Sequence, residues 1–142
     1  MIMEKLMNDI VDTANSFTKN FCDKGTFDFS IKSLRLVDEL LQEISDYELD
    51  EENIFNIVSM VGSYVFETAR KNYGGEYFWI QEEKQPVLIA GFPDFTVSMK
   101  AWEKVRRRLI NGQEDCISFY INGFKEHIEK GKTQKGYSAV IV

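Results

Sequence analysis

Residues 51 to 73, EENIFNIVSMVGSYVFETARKNY, constrain the fold more than any other stretch of this chain. At about 100° per residue, Ile54, Phe55, Ile57, Val58, Met60, Val61, Tyr64, Val65, Phe66 and Ala69 occupy nearly the whole circumference of a helix. Only a narrow stripe of Asn56, Ser59, Ser63, Glu67 and Arg70 interrupts them. A helix apolar on so many sides must be covered on as many sides, so it reads as the central element. Asp50 is its N-cap, with Glu51 and Glu52 favourable in the first turn. Arg70 and Lys71 lie in the last turn, and Gly74-Gly75 stops the helix because positive φ costs glycine nothing. The order helix–glycine–strand is the reverse of a phosphate loop, and the negative end of the helix dipole faces the glycines.

The rest of the chain supplies the cover. Met3, Leu6, Met7, Ile10, Ala14, Phe17 and Phe21 form one stripe of a first helix over 2–22. Leu34, Val37, Leu40, Leu41 and Ile44 form the stripe of a second, with Ser30 or Asp28 as its N-cap. After Gly75, EYFWIQ and PVLIAGF read as a hairpin over 76–92. Tyr77 and Trp79 point to one face, Phe78 and Ile80 to the other. Both faces are apolar, so the sheet is expected to be covered on both. A short strand follows over 95–99, and then a helix over 99–111 with Trp102, Val105 and Leu109 inward. Lys100, Lys104, Arg107 and Arg108 are expected on its basic outer face. A fifth helix over 114–130 and a polar link lead to YSAVIV, a strand over 137–142 that docks on the sheet edge or on a neighbouring chain. The expectation is one α+β domain over 1–142: about five helices around a small antiparallel sheet, with 131–142 as a tail carrying the last strand.

Charge narrows the function classes. The net charge of −6 argues against nucleic-acid binding, which rests on neutralising phosphates. From Asp38 to Glu52 there are eight acidic residues and no basic one, and from Lys100 to Arg108 five basic residues against Glu103 alone. The plainer reading is two solvated faces that complement each other within the fold. The sharper one is a steering surface for a basic protein partner, made by Asp46, Glu48, Asp50, Glu51 and Glu52. No apolar run approaches the roughly 20 residues that span a bilayer, and the acids at 4, 9 and 12 interrupt any signal region, so a cytoplasmic protein is expected. Cys22 and Cys116 lack metal-binding spacing and read as buried or half-buried structural thiols.

Chemistry has few places to sit. His127 is the only histidine, which rules out a histidine-rich metal site or a two-histidine relay, and it is expected near the surface. Cys116 falls in the first turn of the fifth helix, where Glu114 and Asp115 oppose the lowering of its pKa. No catalytic, metal or cofactor motif is present. Glu67 is the one carboxylate inside an otherwise apolar helix. Exposed, it pairs with Arg70 or Lys71; buried, it is an acid of raised pKa or a ligand anchor.

Three segments, FDFSIKSLRLVDELL, GSYVFETARKNYGGEYFW and WEKVRRRLINGQEDCISFY, together resemble an uncharacterised family of small bacterial domains. The positions are Ser30, Gly62, Tyr64, Glu67, Gly74, Gly75, Trp79, Arg108, Asn111 and Gly112, and Phe66 stands where that pattern has a small residue. The resemblance implies an α+β fold and carries no activity. Two functions remain open. One is a non-enzymatic interaction or regulatory module, such as an immunity-type protein neutralising a basic toxin. The other is a small-molecule binder or hydrolase with a pocket near Glu67, Tyr64, Tyr77 and Trp79. A strand-mediated dimer through the last hexapeptide is also open.

Overall fold

The computed structural model describes the backbone of residues 2–142 and the side chains from residue 4, so the Met3 assigned to the first apolar stripe lies outside the described side chains. Five helices and four strands follow in the order α1 (Ile2–Asn20), α2 (Leu34–Ser45), α3 (Glu51–Tyr73), β1 (Glu76–Ile80), β2 (Gln85–Ala90), β3 (Thr96–Met99), α4 (Ala101–Asn111), α5 (Ile117–Thr133) and β4 (Ser138–Val140). The fold is α+β, with the helices packed around one small sheet.

The central position of α3 follows from its burial. All nine residues from Val61 to Ala69 are buried, Ser63 and Glu67 among them. The polar stripe is thus covered at Ser63 and Glu67, while Asn56 is exposed and Ser59 and Arg70 are half-buried, and α3 packs between α1 and α4. Its ends form as the local chemistry dictates. Asp50 Oδ1 accepts from the Asn53 amide at 2.8 Å, while the Gly74 amide donates to the Arg70 carbonyl at 2.8 Å. Gly74 has φ +85° and ψ −175°, a conformation open to glycine that turns the chain directly from helix into strand. With that amide occupied by the helix it closes, the glycine pair acts as a terminator.

The sheet order is β1-β2-β3-β4. The first three strands are antiparallel, but β4 pairs with β3 in parallel, which corrects the all-antiparallel expectation. The reason is the connection: α4 and α5 intervene, and the chain returns to the same end of the sheet before entering β4. One face carries Tyr77, Leu88 and Met99 in register, with Ala90 beside Val97, and it belongs to the core. The other face takes no part in the core cluster: Val87 on it is buried but Phe78, Ile80 and Ile89 are only half-buried, so the expected two-sided cover is incomplete.

The link between α1 and α2 is fixed from α3. The buried Tyr64 ring packs among Phe17, Phe27 and Phe29 with centroids 4.9–5.5 Å away. Its hydroxyl accepts from the Phe29 amide at 3.0 Å and shares a 2.6 Å hydrogen bond with Ser33. Ser30 Oγ caps the short turn that leads into α2 by accepting from the Ser33 amide.

Candidate functional site

Glu67 reaches a buried position because α3 is enclosed where its polar stripe passes β1. The carboxylate is 1% exposed and is held by a fork of two bonds from Arg70, Nε to Oε2 at 2.6 Å and Nη2 to Oε1 at 2.9 Å. The glycine pair then returns the chain so that Tyr77 of β1 donates its hydroxyl to Oε2 at 2.7 Å. Burial pushes the Glu67 pKa up, but the hydrogen bonds from Arg70 and Tyr77, with the charges of Arg70 and Lys71, outweigh it and hold the group below its usual value. Burial and the adjacent Glu67 charge raise the Tyr77 phenol, and the bond to Glu67 raises Arg70. The group is therefore a fixed carboxylate, a fixed guanidinium and a neutral phenol. This corrects the raised-pKa acid expected of a buried Glu67: the charge is compensated in place by an i,i+3 neighbour.

A cavity of about 290 Å³ opens beside this group, lined by Glu4, Met7, Arg70, Gly75, Glu76 and Tyr77. The other two residues expected near Glu67 lie elsewhere. Tyr64 is engaged in the aromatic link described above. Trp79 is 41% exposed and meets Trp102 edge-on at 6.3 Å, and Trp102 in turn meets Phe55 at 6.1 Å. Glu67 and Tyr77 are thus brought together, while Tyr64 and Trp79 are not part of their cavity.

The acidic segment divides into occupied and unoccupied groups. Asp38 turns inward and accepts five hydrogen bonds, from Arg108 Nε, the Ile117 and Ser118 amides, Ser118 Oγ and Cys116 Sγ. It caps α5 and balances Arg108, whose side chain is 2% exposed. Glu43 pairs with Lys24, Asp50 caps α3, and Glu51 pairs with Arg106. Asp46, Glu48 and Glu52 are exposed and form no ion pair among the described residues. Around them stand two aromatics that sequence reasoning did not single out as surface groups, Tyr47 at 68% and Phe55 at 57% exposure. Neither lies on the protected side of its helix or loop, a fact that periodicity does not reveal when a helix is apolar all round.

The basic face expected on α4 is also corrected. Lys104 is buried, donates to Asp115 at 2.8 Å and lies over the Tyr120 ring, and Arg108 is buried on Asp38. A second cavity, about 670 Å³, lies where α2 meets the start of α5 and is lined in part by Arg35, Asp38, Gln42, Arg108 and Cys116. Its buried charges already satisfy one another. Cys116 is the N-cap of α5 and half-buried, whereas Cys22 is exposed, against the expectation of a buried thiol. His127 is half-buried and shares a 2.6 Å hydrogen bond between Nδ1 and the Tyr137 hydroxyl, which ties the approach to β4 onto α5. Among the described residues no three His, Cys, Asp or Glu side chains gather as metal ligands, and no helix is long and apolar enough to cross a membrane.

Compared with family models, curated proteins and solved structures, the chain matches none. The surface around the α2–α3 connection carries exposed, unpaired acids, and the cavity beside Arg70 has a guanidinium in its wall.

Proposed function

We propose that the protein is a non-enzymatic interaction module that presents the start of α3 and the connection before it to a basic protein. The observation that carries this reading is the pair of exposed aromatics, Tyr47 and Phe55, set among the unpaired acids Asp46, Glu48 and Glu52. Aromatic anchors ringed by charge of one sign are the composition of binding surfaces: the rings supply desolvated contact area, and the charge steers the encounter. Asp50 and Glu51 serve the same surface from within, one by fixing the first turn of α3 and the other by tying it to Arg106. An acidic inhibitor of a basic toxin fits this description.

The test compares wild type with Glu48→Lys/Glu52→Lys and with Tyr47→Ala, each immobilised and exposed to extract of the native cell at low and high salt. The expected result is a basic protein held by wild type, released by added salt, and lost to both variants. Retention of the same proteins by all three would refute the reading.

A further inference from the structure

The arrangement of Arg70 goes beyond what an ion pair requires. Its Nε and one Nη2 hydrogen are occupied by Glu67, which fixes the plane of the guanidinium. Nη1 makes no hydrogen bond among the described residues. The side chain is 25% exposed and lines the cavity, so its unoccupied edge is the one turned away from Glu67. An arginine locked by a buried carboxylate presents a pre-oriented fork, and little conformational entropy is lost when a second anion meets it.

The remaining walls define what that anion must be attached to. Glu4 and Glu76, both exposed at the rim, make three carboxylates around one guanidinium when Glu67 is included. A simple anion is repelled by that balance, while a molecule carrying both an ammonium and a carboxylate is not. Met7, Gly75 and Tyr77 complete the lining and add apolar surface to it. The volume of about 290 Å³ sits at the lower edge of the roughly 300–1,000 Å³ range of small-molecule sites, which suits an amino acid. We propose that this cavity binds a small zwitterion of the α-amino-acid type, its carboxylate on the free edge of Arg70, its ammonium between Glu4 and Glu76, and an apolar side chain against Met7 and Tyr77. The site is separate from the acidic face at the start of α3, and either can fail without the other.

The experiment is an amide chemical-shift titration with L-valine and its two half-analogues, isovalerate without the ammonium and isobutylamine without the carboxylate. Valine is expected to shift the amides of Gly75, Glu76 and Tyr77 and to saturate. Each analogue is expected to bind at least about tenfold more weakly, since each loses one set of charge-assisted hydrogen bonds. Arg70→Lys removes the fork, and Glu4→Gln/Glu76→Gln removes the ammonium pocket; both are expected to lose about tenfold or more. The glutamine pair alters only exposed rim residues, so it keeps the test readable if Arg70→Lys does not fold. Absence of any shift with valine, equal binding of all three compounds, or undiminished valine binding by the glutamine pair would each overturn the proposal.

Discussion

Gly62 and Gly123 both sit in the interior of a helix, and the structure assigns them opposite responses to the same substitution. A Cβ built on Gly62 would lie 2.5 Å from Cδ1 of Trp102 and 3.1 Å from its Cα. The ring is flanked by Phe55 and Trp79, and the Cα belongs to the α4 backbone, so relief requires α3 and α4 to move apart. A Cβ on Gly123 meets nothing within 4 Å. Replacing a helical glycine by alanine gains about 0.5–1 kcal/mol from reduced backbone freedom in the unfolded chain, and this gain is common to both sites. Overpacking costs about 1–3 kcal/mol and applies at Gly62 alone. Gly123→Ala is therefore expected to stabilise the protein by up to about 1 kcal/mol and Gly62→Ala to destabilise it by about 1 kcal/mol. The difference between the two variants isolates the packing cost. Urea denaturation with the slope held in common measures it. A Gly62→Ala protein as stable as Gly123→Ala would mean that α3 and α4 do not approach at this point.

Two further outcomes follow from the buried charges. Asp38→Ala strands the buried Arg108 and uncaps α5, so a loss of about 3–5 kcal/mol is expected in urea denaturation, and a loss below about 1 kcal/mol would contradict the pairing. Glu67 has a folded pKa below its unfolded value, so its contribution is fully present above the usual carboxylate range and is lost as pH falls through the folded value. Wild-type stability measured from neutral pH downward should therefore converge on that of Glu67→Gln, and parallel acid limbs would show that the carboxylate is not charged in the fold.

What could be read from the sequence was what depends on neighbours along the chain. The N-cap at Asp50, the stop at Gly74 and the enclosure of α3 each follow from side chains within a turn or two; the first two are present, and the enclosure holds from Val61 to Ala69 but not at Phe55. The i,i+3 pairing of Glu67 with Arg70 is local in the same sense. Its burial is not, because that depends on Tyr77 arriving from β1. Trp79 shares the alternation of Tyr77 but stands two residues further along the strand, about 7 Å, which is far enough to leave the Glu67 cavity for the Trp102 ring. The direction of β4 was likewise hidden. Strand propensity fixes extended backbone, while parallel or antiparallel pairing is set by the helices that carry the chain back.

The charged segments show most clearly why local reading stops short of function. The sign of the Asp38–Glu52 block is plain in the sequence, but which acids are free to meet a partner is decided by contacts far along the chain. Asp38 is claimed by Arg108, seventy residues away, and Glu51 by Arg106, fifty-five residues away. With Glu43 on Lys24 and Asp50 on its own helix, four of the eight acids are occupied by the fold. The plainer reading, two charge blocks that complement each other, thus accounts for part of the segment. Of the four left unpaired, Glu39 lies on α2, while Asp46, Glu48 and Glu52 stand with the exposed Tyr47 and Phe55 in the α2–α3 connection and the start of α3. It is this remainder, obtained only by subtraction, on which the interaction reading rests.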